Sequence, residues 1–312
     1  MYAFIFPGQG SQSVGMGLEL AAASGAARAV LEEVDDALSE NLSRTMREGP
    51  EDELMLTANA QPAIMANAIA VLRVLEADFG IALVDKASCV AGHSLGEYTA
   101  LGAAGAFDLA TTARLLRLRG EAMQAAVPVG EGAMAALLGA DIAKAAALCK
   151  AASKGDVCEI ANDNDPTQVV ISGHKAAIER ALALTKDHGI KRGVPLPVSA
   201  PFHCALMEPA ANRMAGALAN HPPGDPAVPL YANVTARKVT NGEVERALLV
   251  EQVTGRVRWR ESVLAMREAG VETFVEFGAK VLGGMIGRID KDARRLSLVT
   301  MEDIEVFAKE TG

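Results

Sequence analysis

The sequence predicts an α/β protein: a mostly parallel sheet with helices on both faces, carrying a smaller inserted unit. Two observations predict it. Short apolar runs that read as buried strands alternate with longer segments whose apolar residues recur at helical spacing. Between residues 128 and 197 the rhythm changes to strand, helix, strand, strand, helix, strand. A glycine-flanked serine, Gly92-His93-Ser94-Leu95-Gly96, also sits where a strand meets a helix.

The elements follow in order. Tyr2 to Phe6 reads as a buried first strand, ending at the loop Pro7-Gly8-Gln9-Gly10-Ser11-Gln12. Ala27, Val30, Leu31, Val34 and Leu38 keep a period of about 3.6, as do Ile64, Ala68, Val71, Leu72, Leu75 and Phe79. Ala87 to Ala91 is the next strand and Tyr98 to Ala106 a tight helix. Asp108 is an N-cap for a helix from Leu109 to about Gln124. The insert then gives strands at 134–138, 157–161, 169–172 and 192–196, with helices at 142–152 and 176–188. That is the order of a ferredoxin-like unit. Asn162, Asp163 and Asn164 fall in a loop. Ser199-Ala200-Pro201-Phe202-His203 returns the chain to the larger unit, with His203 opening a helix to about Asn220. Strands follow at 229–232, 273–277 and 296–299, with a turn at Asn241-Gly242 and a helix from Trp259 to Ala269. The expected domains are therefore 1–127 with 198–312, and 128–197.

Half of the 312 residues are hydrophobic, enough for a sizeable core, and the net charge is −9. That acidity argues against nucleic acid as a partner. No apolar stretch is long enough to span a bilayer, and Met1 to Pro7 lacks the basic region of a signal peptide, so a cytoplasmic protein away from membranes is expected. Cys89, Cys149, Cys158 and Cys204 show neither C-x-x-C pairing nor metal-like spacing with the five histidines. They read as reduced, buried thiols, and no metal is expected.

The chemistry centres on Ser94. Glycines two residues to either side permit a turn too sharp for side chains, which pushes the serine out at a helix N-terminus, where partial positive charge gathers. A serine nucleophile needs a base. His93 adjoins Ser94 and points away from it; His174 and His188 end a helix of the insert; His221 precedes two prolines. His203 is the best placed. An oxyanion needs preorganised donors: the backbone N–H of Leu95 is one, and the Gln9 loop is the natural source of a second. Arg114, Arg117 and Arg119 share one Leu-rich helix, so at least one points inward, and a buried guanidinium is an anion clamp.

Four motifs in one order carry a resemblance: Pro7 to Gln12, Gly92 to Tyr98, Leu118-Arg119-Gly120 with Met123-Gln124, and Ala200 to His203. Together the chain resembles the bacterial malonyl-CoA:acyl carrier protein transacylases of type II fatty acid synthesis, over almost its whole length. The resemblance implies an α/β-hydrolase-like core with the ferredoxin-like insert. It implies Ser94 as nucleophile, His203 as base, Arg119 as the partner of the malonyl carboxylate, and the N–H groups of Gln9 and Leu95 as oxyanion donors. It further implies a main-chain carbonyl near Arg258 that orients the histidine, and Asn162 facing the cleft; His93, by its adjacency to Ser94, reads as a group behind the site or a core histidine. Phe202 fits the malonyl-type pattern. The substrate is then a coenzyme A thioester, malonyl-CoA, the partner is acyl carrier protein, no cofactor is needed, and a monomer is expected. Because carriers are acidic like this chain, docking needs a local basic patch; Lys191/Arg192, Arg256/Arg258/Arg260 and Arg288/Lys291/Arg294/Arg295 are candidates.

Three other readings share some of these features. A serine hydrolase would want an acidic residue between Ser94 and His203; Asp163, Asp165 and Asp187 are available, but all lie in the insert. A noncatalytic binding module would use the elbow only as a turn. An acyltransferase serving a polyketide synthase would share every motif.

Overall fold

The computed structural model describes residues 1–198 and 200–311; Ser199, at the expected return to the larger unit, and Gly312 lie outside the described residues. Ten strands occur among the described residues, in chain order: β1 (Tyr2–Phe6), β2 (Ala87–Gly92), β3 (Gly132–Leu138), β4 (Cys158–Asp165), β5 (Gln168–His174), β6 (Arg192–Pro195), β7 (Leu230–Tyr231), β8 (Lys238–Val239), β9 (Thr273–Phe277) and β10 (Arg294–Leu298). They form two sheets. The larger runs β10-β9-β1-β2-β7-β8, and only the last pairing is antiparallel. The smaller runs β4-β5-β3-β6 and is antiparallel throughout.

Alternation along β1 builds two cores. Phe4 and Phe6 face one way and pack on Phe277, with ring centroids 4.8 and 5.6 Å away. Ala3 and Ile5 face the other way, onto Trp259, Val263 and Met266 of the helix Trp259–Glu268. Each such aromatic or aliphatic side chain contributes about 1.5–3 kcal/mol by leaving water. The helix Thr57–Phe79 is buried on nearly all sides and packs against the helices Gly25–Leu38 and Leu109–Ala125, which is why its sequence is apolar well beyond one stripe. No helix among the described residues is long and apolar enough to cross a membrane. All four cysteines are buried and free.

Register places the site. Phe6 pairs with Gly92, so β1 and β2 end side by side and their following loops leave the same, carboxyl edge of the sheet. The smaller sheet meets that edge through β4, where Asn162 bridges to Val257 and the N–H of Asp163 donates to the Val257 carbonyl.

Three expectations need correction. The polar run 162–165 is the end of β4, not a loop. Its side chains alternate: Asp163 takes a two-pronged contact from Arg260 and Asp165 pairs with Arg288, both aspartates being buried, while Asn164 faces His93. Paired charges make a strand of residues that composition assigns to a turn. Asn241-Gly242 is not a hairpin turn either. Asn241 caps the helix Gly242–Thr254, accepting from the Val244 N–H. Finally, His203 does not open a helix. It stands in a turn at φ 58°, before a short 3₁₀ segment (Ala205–Met207) and the helix Glu208–Asn220.

Candidate active site

Ser94 caps the helix Leu95–Ala103 with φ 54° and ψ −110°, a left-handed conformation that costs a non-glycine residue about 1–3 kcal/mol. Its surroundings hold it there. A Cβ on Gly92 would stand 1.9 Å from the Gly96 carbonyl, and one on Gly96 would stand 2.3 Å from the Phe6 carbonyl, so neither glycine has a substitute. Asn233 locks the turn from outside. Its Oδ1 accepts from the Ser94 N–H at 2.8 Å, its Nδ2 donates to the Gly92 carbonyl at 2.7 Å, and its own N–H donates to Glu97 Oε2 at 3.1 Å.

The serine Oγ lies 2.8 Å from His203 Nε2. On its other side, His203 Nδ1 lies 2.9 Å from the Gln252 carbonyl and 3.1 Å from the Gly255 carbonyl. A carbonyl only accepts, so Nδ1 carries the proton and Nε2 presents a lone pair to the serine hydroxyl. Burial, reinforced by the Arg119 charge, pushes the His203 pKa down to about 3, which keeps the imidazole neutral in the resting site. Arg258, near which the orienting carbonyl was expected, is elsewhere occupied. Its carbonyl receives the N–H and hydroxyl of Ser262, and its guanidinium rests on Glu261 and on the Val234 carbonyl. The helix starting at Trp259 consumes that carbonyl, whereas Gln252 and Gly255 lie at the end of the preceding helix, where carbonyls lack intrahelical partners.

Of the three arginines on the helix Leu109–Ala125, Arg114 bonds Thr111, Arg117 turns to Asn59 and Glu40, and Arg119 alone points into the site. Arg119 is 1% exposed. Its Nη1 donates to Gln61 Oε1 at 2.9 Å; its Nη2 donates to Gln252 Oε1 at 2.8 Å and Ser94 Oγ at 3.1 Å. The guanidinium also lies over the Tyr98 ring, 5.6 Å from its centroid. Burial lowers its pKa from the ordinary value, while Tyr98 and Glu97 oppose the shift. Every acceptor that touches it is neutral, so a buried cation is held in position without a counter-ion in contact, a costly arrangement that an incoming anion relieves.

Ser94, His203, Arg119, Gln9, Leu95, His93 and Asn162 all line one cavity of about 250 Å³. Arg258 does not. It borders a shallower hollow of about 560 Å³ near Cys149 and Cys158, which Ser94 does not line. The N–H groups of Gln9 and Leu95 have no hydrogen-bond partner among the described residues. His93 is buried, 5.9 Å from the Trp259 ring, with Nε2 2.9 Å from Asn164 Oδ1, and burial lowers its pKa. No cluster of three or more metal-ligating side chains occurs among the described residues.

The sequence reading missed Gln61, Asn233 and Gln252. Gln252 is the most consequential: its carbonyl holds His203, its Oε1 holds Arg119, and its Nε2 donates to the Ser94 carbonyl at 3.0 Å and to Glu97 Oε2 at 2.8 Å. The N-cap Asn241, followed by Leu249 and Val253 at helical spacing, was the available signal for its helix.

An elbow serine, a neutral histidine on a main-chain carbonyl and a buried arginine with no carboxylate in contact have the chemistry to form an ester on Ser94 from an acyl group that bears its own negative charge. Comparisons with known proteins agree with that class. The acyl transferase domain model matches residues 3–283. The chain is 46% identical over 289 residues to the malonyl CoA-acyl carrier protein transacylase of Escherichia coli K12, covering 92% of each. Its fold superposes on the acyl-carrier-protein-S-malonyltransferase of Bartonella henselae with a TM-score of 0.96 at 53% identity, covering 99% of this chain and 98% of the other. It also superposes on a malonyl-transacylase solved in complex with its type II PKS acyl-carrier protein, with a TM-score of 0.95 at 39% identity and 99% of each chain covered. The chain belongs to the acyl transferase domain family, among its malonyl CoA-acyl carrier protein transacylases.

Proposed function

We propose that this protein moves the malonyl group from malonyl-CoA to the phosphopantetheine thiol of acyl carrier protein, supplying extender units for fatty acid synthesis. The observation that carries this reading is Arg119, a buried cation with only neutral acceptors, whose Nη2 is 3.1 Å from the serine Oγ. A malonyl thioester places a free carboxylate one carbon beyond the reacting carbonyl, within the span of that arginine.

In the proposed cycle, Ser94 Oγ attacks the thioester carbonyl and His203 Nε2 takes the hydroxyl proton. The oxyanion forms against the unpartnered N–H groups of Gln9 and Leu95. The C–S bond breaks, the leaving sulfur takes the proton from His203, and CoA departs as the free thiol. A malonyl-Ser94 ester remains, its carboxylate on Arg119. The carrier's thiol then attacks that ester while His203 takes the thiol proton, and Ser94 leaves with that proton restored. The reaction calls for no cofactor. An acetyl group would leave the arginine unpaired, which disfavours it by a few kcal/mol.

The larger unit, 1–127 with 198–312, is read as an α/β-hydrolase-like catalytic core and 128–197 as a ferredoxin-like insert. The strand order of the smaller sheet and the βαββαβ sequence support the second description. The protein is read as a cytoplasmic monomer. Asn162 and His93 are read as lining and supporting groups; the orienting carbonyls are read as those of Gln252 and Gly255, with Arg258 one contact further back, its N–H on the Asn233 carbonyl.

The test is incubation with malonyl-CoA, acid quench and peptide mass analysis. A malonyl adduct is expected on the Ser94 peptide and none in Ser94→Ala. A folded protein that takes no adduct, or an adduct that water removes before a carrier thiol arrives, rejects the reading in favour of a binding module or a hydrolase.

A further inference from the structure

Behind the reaction centre lies a pair of carboxyl groups that this cycle does not use. Glu97, in the first turn of the helix Leu95–Ala103, and Glu245, in the first turns of the helix Gly242–Thr254, are both fully buried. Their carboxyl groups lie within hydrogen-bonding reach of each other, with no donor between them while both are ionised. An ionised carboxylate has no hydrogen to donate, so two in contact require a proton between them. The surrounding donors say where it sits. Glu97 Oε2 accepts from the Asn233 N–H at 3.1 Å and from Gln252 Nε2 at 2.8 Å. Neither oxygen of Glu245 receives a donor from any other described residue, and Glu97 Oε1 is likewise free to accept the one proton available. Glu97 is the better stabilised anion and Glu245 the acid.

We propose that Glu97 and Glu245 share one proton, and that the single negative charge left on Glu97 positions Arg119 through the side-chain amide of Gln252. The proposal rests on reading Arg119 as the carboxylate clamp.

Gln252 is the relay because its amide has one workable orientation. Both Nε2 hydrogens are spent, on Glu97 Oε2 and on the Ser94 carbonyl, which turns Oε1 toward Arg119 Nη2. A flipped amide would set oxygen against carboxylate and NH₂ against guanidinium. The charge on Glu97 therefore fixes the amide, and the amide fixes one prong of the guanidinium. A second ionisation would place two negative charges behind a clamp meant for an anion; loss of the charge would free the amide. The other titratable groups facing the pair are Arg119, from the helix Leu109–Ala125, and Tyr98, whose hydroxyl has no partner. Burial raises both carboxyls. Donors oppose the rise at Glu97, whereas at Glu245 burial and the Glu97 charge push the carboxyl up to about 10, so the pair keeps its proton across the neutral range.

Glu245 is thus a positioning residue, and two readouts of the whole enzyme test it. The infrared difference between wild type and Glu245→Gln at pH 7 is expected to contain the carbonyl stretch of one protonated carboxylic acid. In kinetics, Glu245→Ala should raise KM for malonyl-CoA roughly tenfold with a smaller change in kcat, the size of one lost buried hydrogen bond. Glu245→Gln, whose amide donates in place of the acid, should bring KM most of the way back. Absence of the band overturns the shared proton. A band with wild-type KM in Glu245→Ala, or a loss that Glu245→Gln does not rescue in a folded protein, overturns the positioning role. Failure of the clamp reading is visible separately: Arg119→Ala would then discriminate malonyl from acetyl thioesters as wild type does, with the infrared band unchanged.

Discussion

The ring nitrogen Nδ1 of His203 lies 2.9 Å from the main-chain carbonyl of Gln252, and no carboxylate stands in its place. A carbonyl fixes the tautomer and the ring plane without supplying a full charge. The imidazolium that forms during transfer is therefore stabilised by dipoles alone, with the Arg119 cation nearby and a depressed pKa of about 3 in the resting site. Such a base rests neutral at neutral pH, with Nε2 free to take the serine proton.

The acid side of the pH profile follows. For a neutral ester substrate, which has no carboxylate of its own to titrate, kcat/KM should stay level well below pH 6.5, the ordinary histidine value. Arg119→Ala removes a positive charge that disfavours imidazolium, so His203 becomes easier to protonate. The acid limb of that variant should move upward in pH, toward the ordinary range. Profiles of kcat/KM for the two proteins decide it; superimposable limbs would mean that the Arg119 charge does not reach the base.

Selectivity should depend on the guanidinium's shape as well as its charge. Arg119 is anchored through Nη1 to Gln61 and through Nη2 to Gln252, which leaves its fork in a fixed plane. A lysine restores charge but cannot satisfy both glutamines and still meet a carboxylate through two parallel bonds. Arg119→Lys is expected to lose most of the malonyl preference, and Arg119→Ala to lower malonyl transfer roughly 10²-fold while sparing acetyl transfer, the measure of one buried charge-assisted contact. Competition between malonyl-CoA and acetyl-CoA, read from the acyl-serine adducts, measures it. Equal loss of both acyl groups would remove Arg119 from the selectivity role.

The join between the two sheets makes a stability prediction. Asp163 is buried and Arg260 meets it with three hydrogen bonds of 2.8–3.1 Å. Arg258 meets Glu261 where both side chains are about one-third exposed. Removing Arg260 strands a buried carboxylate; removing Arg258 leaves one that water reaches. Arg260→Ala should cost about 3 kcal/mol and Arg258→Ala no more than about 1 kcal/mol in denaturant unfolding. Because Asn164, the partner of His93, follows Asp163 on β4, the first variant should also weaken activity. Similar midpoints for the two variants would contradict the assignment.

How far these features are readable in the sequence depends on their range. The elbow is local: Gly92 and Gly96 are needed by atoms within a few residues of Ser94 or at the end of the neighbouring strand, so five letters disclose it. The strand Thr273–Phe277 is β-branched and aromatic at every position but Glu276, and it reads as a strand between turns. Asp163 and Asp165 mislead because their arginine partners are 97 and 123 residues away, and composition alone prices them as solvated. Gln252 misleads differently. Its function depends on its carbonyl and on a helix whose apolar face is weak, with Glu245 buried where periodicity expects a hydrophobic residue. Composition narrows the clamp to three arginines on an apolar helix; the Leu118-Arg119-Gly120 motif points by resemblance to Arg119, and the fold turns that one inward.

Carrier docking separates the basic clusters. Arg260 is spent on Asp163, Arg288 on Asp165 and Arg294 on Glu310, while Arg256 and Arg258 share the one charge of Glu261 and so keep a single net positive charge between them. Lys191 and Arg192, at the start of β6, are exposed and make no ion pair among the described residues, as do Lys291 and Arg295. On a chain of net charge −9, attraction for an acidic carrier must come from such unpaired cations, because a paired arginine presents little field beyond its partner. Charge reversal of Lys191 and Arg192 together should lower kcat/KM for the carrier about tenfold or more at low salt, and the deficit should shrink as ionic strength rises through about 0.1–0.2 M. Reversal of Arg256 and Arg258 should do much less to the carrier step. Formation of malonyl-Ser94, measured without carrier, is the control in each variant. A salt-independent deficit, or equal effects from both pairs, would show that steering does not run through Lys191 and Arg192.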